Sequence, residues 1–71
     1  MLKKRSIVIS GHRTSVSLEE PFWEVLKEIA EKEGTSLATL IDSVDHDRLT
    51  RTPTPNLSSA LRLRVMAYLR P

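Results

Sequence analysis

The 71-residue sequence contains no cysteine and only two glycines. The lack of cysteine excludes disulfides and thiolate-bound zinc as means of stabilising the chain. The two histidines, His12 and His46, stand far apart and do not form a metal-ligand pattern. Two glycines are too few for a glycine-rich loop that cradles phosphates. The sequence therefore predicts neither a metal nor a cofactor.

Long apolar runs are also missing. No run reaches the roughly 18 residues that a membrane-spanning helix needs. The basic residues 1–5 are not followed by a long apolar segment and a cleavage site, so we do not interpret them as a signal peptide. The absence of cysteine fits a reducing compartment. Together these features predict a cytoplasmic protein with no membrane partner.

The chain is short for a stable single core. A core of this size contributes only about 3–5 kcal/mol unless disulfides, a metal or oligomerisation add to it. Because cysteine is absent and no metal is predicted, we expect the chain to complete its core by forming a homodimer or a tetramer.

Acidic residues are absent from both ends of the chain. Residues 1–18 carry a net charge of +4, residues 19–47 carry −7 with all nine acids, and residues 48–71 carry +5, which gives +2 in total. Such segregation indicates that the two basic ends meet a polyanion while the acidic middle stays solvated. The alternative is that the basic ends are simply solvated termini.

Residues 13–18 alternate between polar and apolar side chains, which is typical of a half-buried strand. A strand needs a partner for its backbone N–H and C=O groups. The β-branched run Ile7–Ile9 just upstream is a second strand signal. Either residues 6–18 form one continuous strand, with or without a bulge at Gly11, or residues 10–13 turn and residues 6–9 fold back as a hairpin. The sequence leaves this choice open.

Three helices are predicted downstream. Helix A begins near Glu19 with Pro21 in its first turn, Ser17–Glu20 fits a capping box, and Gly34 ends the helix. Helix B has Thr35 or Ser36 as its N-cap. Apolar residues recur at helical spacing in both helices: Phe22, Val25, Leu26, Ile29 and Ala30 in helix A, with Trp23 at its flank, and Leu37, Leu40, Ile41 and Val44 in helix B.

The C-terminal third adds a linker and an apolar helix. Residues 49–55 contain two prolines and read as a linker. Helix C then begins at Thr54 or Asn56 as N-cap. We therefore divide the chain into residues 1–48, a linker 49–55 and a C-terminal helix in residues 56–71. A helix as apolar as this one docks on its own domain or on another subunit.

The order strand, helix, glycine turn and helix in residues 13–44 resembles the ribbon-helix-helix superfamily of bacterial and phage DNA-binding proteins (the MetJ/Arc/CopG type). The motifs that carry the resemblance are Thr14-x-Val16-x-Leu18, Phe22-x-x-Val25-Leu26-x-x-Ile29-Ala30-Glu31-x-x-Gly34 and Thr35-Ser36-Leu37-x-x-Leu40-Ile41. Residues 11–15 with their apolar lead-in, and the added helix, are also similar to a small alphaproteobacterial-type branch.

The resemblance implies a mainly α fold with a short β-ribbon, in which two chains intertwine and pair their strands. The implied dimer core contains Val16, Leu18, Phe22, Val25, Leu26, Ile29, Leu37, Leu40, Ile41 and Val44. The ribbon would enter the major groove of double-stranded DNA and read bases through Arg13, Ser15 and Ser17. Phosphates would be bound by Gly34, Thr35 and Ser36 at the start of helix B, and by Lys3, Lys4 and Arg5.

The function that follows is sequence-specific DNA binding by a dimeric transcriptional repressor or autoregulator. The alternative is an antitoxin-like or oligomerisation module that binds a protein partner through residues 49–71. No constellation of catalytic residues is recognisable in the sequence, so we do not expect an enzyme.

Overall fold

The computed structural model describes residues 2–70. Strands β1 (Leu2–Ile9) and β2 (His12–Glu19) form an antiparallel two-stranded sheet, and helices α1 (Glu20–Lys32), α2 (Leu37–Arg48) and α3 (Leu57–Leu69) follow. The predicted mainly α fold with a short ribbon is therefore confirmed. Met1 and Pro71 lie outside the described residues. Met1 belongs to the predicted basic arm, and Pro71 to the predicted C-terminal segment 56–71.

The two strands are joined as a tight hairpin. Ser10 and Gly11 form its two-residue turn with φ angles of 51° and 80°, a backbone that matches the twist of the flanking strands. The register runs from Ile9 opposite His12 to Leu2 opposite Glu19. The hairpin alternative is thus the correct one. Residues 2–9 supply one partner strand for residues 13–18, and the pairing of strands between two chains, which the resemblance implies, stays a prediction.

Helix α1 begins directly after β2. Its N-cap is Glu19, which makes no side-chain capping bond, so the predicted capping box does not form, because Ser17 belongs to β2. The helix buries Trp23 with Leu26, while Phe22 remains half-buried. Trp23, which the sequence places at the flank of the apolar stripe, is buried there. The added strand β1 covers this side of the helix with Arg5, whose guanidinium lies 4.5 Å from the centre of the Trp23 ring.

The connection between α1 and α2 uses local hydrogen bonds. Gly34 has a φ of 67°, a conformation in which glycine carries no steric penalty. The N–H of Thr35 donates to Ala30 O at 2.9 Å. Ser36 is the N-cap of α2, and its Oγ accepts from the N–H of Thr39 at 3.0 Å. Of the two predicted caps, Ser36 is confirmed.

Helix α3 shares the core of the chain. Asn56 is its N-cap and accepts from the N–H of Ser59 at 2.8 Å, which decides between the two predicted caps. Leu61 and Val65 are 0% and 1% exposed, within one cluster that extends from the hairpin through all three helices. No helix in residues 2–70 is long and apolar enough to cross a membrane.

The residues predicted for the dimer core lie in the core of a single chain. Seven of them are buried: Val16, Leu18, Leu26, Ile29, Leu40, Ile41 and Val44. The other three are half-buried and pack against the cluster: Phe22, Val25 and Leu37. One chain therefore encloses most of this apolar surface without a partner, because β1 and α3 add covering elements to residues 13–44.

Candidate nucleic-acid interface

The hairpin presents one face to the core and one to solvent. On the inner face Ile9, Val16 and Leu18 are buried. Alternation places every second residue of each strand on the outer face, and the register sets these residues opposite one another in pairs. The outer pairs are Leu2 with Glu19, Lys4 with Ser17, Ser6 with Ser15, and Val8 with Arg13.

Two cations on the outer face are free of ion pairs. Neither Lys4 nor Arg13 has a carboxylate within 4.0 Å among the described residues, and both are exposed. A charge in this state keeps its full attraction for an anion from outside.

The neighbouring cations Lys3 and Arg5 face the other way. Lys3 Nζ lies 3.9 Å from Glu20 Oε2, and Arg5 donates a hydrogen bond to the same oxygen. The bond from Arg5 lowers the pKa of Glu20 below its ordinary value. Arg5 also stacks on the Trp23 ring. Of the three basic residues predicted to bind phosphate in this segment, only Lys4 lies on the outer face.

Helix α3 lies against the open edge of β2 at one end of the hairpin. The hydroxyl of Ser58 donates to the backbone oxygen of Ser17 at 2.8 Å, and Ser17 is half-buried. Next to it, Arg62 Nε donates to Glu19 Oε1 at 2.9 Å, which lowers the pKa of Glu19. Arg13 and Ser15, nearer the turn, remain exposed. The exposed part of this face therefore includes Arg13 and Ser15 near the turn and Lys4 and Ser6 on β1.

The start of α2 offers a second group of donors. The N–H of Gly34 and the N–H of Thr35 already donate to carbonyls of α1, at 3.1 and 2.9 Å. The N–H groups of Leu37 and Ala38 lie in the first turn of α2, where no intrahelical acceptor exists. Together with the positive end of the helix dipole, such groups favour an anion. Of the predicted positions Gly34, Thr35 and Ser36, the first two therefore have their N–H groups in use, and the first-turn N–H groups of residues 37 and 38 lie just after them.

Comparison with known protein families connects this geometry to a known class. Residues 2–69 match a family model described as a ribbon-helix-helix domain. The chain belongs to the ribbon-helix-helix family. Proteins of this family are in general DNA-binding transcription regulators, and they typically bind DNA as dimers. The match includes β1 and α3, so it extends well beyond residues 13–44, which carried the resemblance in the sequence.

A solved structure shares this ribbon-helix-helix fold. It is that of an uncharacterized protein from Bordetella pertussis Tohama I, which is 35% identical in sequence and superposes with a TM-score of 0.79. The match covers 97% of the present chain and 56% of the other, so this chain spans little more than half the length of that protein. None of the curated proteins compared with the chain matched it.

Two residues of the outer face were not foreseen from the sequence. Ser6 and Val8 reach it because the hairpin register places them opposite Ser15 and Arg13. A continuous strand with no bulge at Gly11 would have put Val8 on the inner face. The signal that would have identified them is the Ser10-Gly11 turn, since a two-residue turn fixes the register of both strands.

Proposed function

We propose that this ribbon-helix-helix protein binds double-stranded DNA sequence-specifically as a homodimer and acts as a transcriptional repressor or autoregulator. The observation that carries the proposal is the outer face of the hairpin, where Lys4 and Arg13, which make no ion pair within residues 2–70, flank serine side chains. The major groove is about 12 Å wide and admits a two-stranded ribbon. With strands about 4.8 Å apart, one hairpin fits this space.

The proposed roles follow from side-chain chemistry. Arg13 donates a bidentate pair of hydrogen bonds to a guanine, which discriminates against other bases by about 1–3 kcal/mol. Ser15 and Ser6 donate or accept and read bases less selectively. Lys4 contacts a phosphate at the edge of the groove. Ser17, half-buried beside α3, contributes less than Ser15.

The start of α2 is the proposed phosphate clamp. Its free N–H groups bind an oxygen of the DNA backbone without a positive side chain. Gly34 and Thr35 shape the turn that presents them, and Ser36 caps the helix at the same time. Glu33, the nearest acid in the sequence, is paired with Arg64, which reduces its repulsion of a phosphate.

The dimer is proposed because ribbon-helix-helix proteins typically bind DNA as dimers. The single chain already encloses an apolar core, and a second copy adds a second reading surface. Its role in the proposal is to place two reading surfaces on one operator and so to exclude other proteins from that DNA. Sedimentation of the 8.1-kDa chain with and without operator DNA measures this step. A complex that contains one chain per operator would contradict it.

The test of DNA binding is fluorescence anisotropy with genomic fragments at several salt concentrations. We expect affinity to fall steeply between about 50 and 200 mM salt, because phosphate contacts release counterions. Arg13→Ala should weaken binding to the preferred fragment by about tenfold or more. Arg51→Ala is the matched control, since it removes the same charge from an exposed site paired with Asp47. Flat salt dependence, or an unchanged affinity of Arg13→Ala, would overturn the proposal.

The antitoxin-like alternative gains no support from α3. In that hypothesis residues 49–71 fold only when they capture a toxin. The structure instead holds α3 in the core through Leu61 and Val65 and joins it to β2 through Ser58. This packing favours the DNA-binding proposal over capture of a toxin by coupled folding.

A further inference from the structure

Val8 is an exposed apolar residue on the outer face of the hairpin, in the pair that follows Ile9 and His12 at the turn. It is 55% exposed, with Arg13 opposite it and Ser6 two residues away on the same face. We propose that Val8 determines specificity by contacting the C5-methyl group of a thymine next to the guanine that Arg13 binds. This inference rests on the proposed function and assigns it a base preference.

The hairpin geometry brings Val8 and Arg13 close together. In a two-residue hairpin the pair next to the turn, here Ile9 and His12, is the hydrogen-bonded one, so Val8 and Arg13 form the following non-hydrogen-bonded pair. Cα atoms in such pairs are only about 4.5 Å apart, and their side chains are the closer ones. Successive bases on one strand are about 3.4 Å apart. The spacing of the two side chains is therefore close enough for them to contact neighbouring base pairs.

The surroundings of Val8 favour a single methyl contact over a protein interface. A protein-binding patch needs a contiguous apolar area of several hundred square ångströms. The other exposed apolar residue of β1, Leu2, lies at the far end of the strand, about 20 Å away at ~3.3 Å per residue. The register neighbours of Val8 on the outer face are therefore the polar residues Ser6, Arg13 and Ser15. Its size matches the thymine methyl group, which apolar side chains recognise in the major groove.

Valine also favours strands for reasons unrelated to DNA, so the test must separate the two effects. The probe is a duplex that the wild-type protein enriches from a randomised synthetic pool. Each thymine of this duplex is then replaced in turn by uracil, which lacks the C5-methyl group and still pairs with adenine. This scan needs no variant protein, so it does not depend on the folding of a mutant.

We expect the wild-type protein to bind the duplex about fourfold more weakly when one particular thymine, beside a guanine, is replaced by uracil. This corresponds to the ~0.8 kcal/mol of one buried methylene-sized group at 1.4 kcal/mol per tenfold change. Val8→Ser should bind the thymine duplex as weakly as the wild type binds the uracil duplex, with no further loss on uracil. Val8→Thr retains a methyl group and should retain the sensitivity. Leu63→Ser, equally 55% exposed but on α3, should behave as the wild type.

The outcomes separate the inference from the function on which it rests. Wild-type binding that is salt-dependent but insensitive to uracil at every thymine overturns the role of Val8 and leaves DNA binding intact. Full uracil sensitivity in Val8→Ser does the same. If no duplex is enriched and binding shows no salt dependence, the proposed function fails, and the inference fails with it.

Discussion

Truncation of Leu61 to alanine tests whether α3 belongs to the fold. The side chain is 0% exposed and sits in the cluster that joins α3 to the other helices. Removing it leaves a cavity in a packed core, which costs about 2–5 kcal/mol for a leucine. A 71-residue domain has a free energy of unfolding of about 4–11 kcal/mol at 0.05–0.15 kcal/mol per residue. We therefore expect Leu61→Ala to remove a large part of the stability.

The measurement is urea and thermal unfolding followed by the fluorescence of Trp23, the single tryptophan of the chain. Trp23 is buried in the same cluster, so its emission reports the integrity of the core. A loss of about 3 kcal/mol should lower Tm by about 12–24 °C at 4–8 °C per kcal/mol. Leu63→Ala is the matched control. Leu63 lies on the same helix but is 55% exposed, so its truncation should change stability by no more than about 0.5 kcal/mol.

Equal, small effects of Leu61→Ala and Leu63→Ala would refute this reasoning. They would mean that α3 is detached in solution and that its apolar face waits for a partner. A second transition, in which α3 melts while the Trp23 signal stays native, would refute it as well. A single cooperative transition that shifts in Leu61→Ala alone is the expected result.

Two further predictions concern charged groups. Hydrogen bonds from arginines lower the pKa of Glu19 and of Glu20 in the folded chain. The two ionised carboxylates therefore stabilise the fold fully at pH values above the ordinary pKa of 4.5. This stabilisation is lost as the pH falls through the lower folded pKa values. Urea unfolding at graded pH should show this loss, and Glu19→Gln should make it smaller; a pH-independent midpoint below 4.5 would contradict it. Arg5→Ala should destabilise the fold by about 1–2 kcal/mol through its lost stacking, whereas Lys4→Ala should weaken DNA binding with little change in Tm. If Lys4→Ala destabilised the fold and Arg5→Ala weakened DNA binding instead, Arg5 and not Lys4 would face the DNA.

The helices could be predicted from the sequence because their signals are local. Apolar spacing located α1 and α2, and the Gly34 turn with its Ser36 cap marked the boundary between them. The choice between a continuous strand and a hairpin could not be made in the same way. Ser10-Gly11 is a weaker hairpin signal than Asn-Gly, and both patterns satisfy the alternation in residues 13–18. The decision depends on long-range packing, namely the burial of Ile9 in the core.

Only part of the candidate site could be predicted from the sequence, because the rest depends on the register of the two strands. Arg13 and Ser15 face outward as the alternation requires. The basic segment at residues 3–5 gives no hint of which cation is free, because neighbouring residues of a strand point to opposite faces. Only the register and the position of Glu20 show that, within residues 2–70, Arg5 is paired with a carboxylate and Lys4 is not.

A hairpin made by one chain changes what a dimer has to do on DNA. If two chains shared one ribbon, the dimer would read a single central groove segment. Here each copy holds a complete two-stranded ribbon, and Ser58 occupies the backbone oxygen of Ser17, which lies on the open edge of β2 where a second strand would have to pair. The proposed dimer should therefore read two half-sites, one per hairpin, with centres about 34 Å or a multiple apart. Footprinting of the preferred operator should show two protected major-groove segments on one side of the duplex. A single protected segment would mean that the copies pair through β2 and displace the hydrogen bond from Ser58.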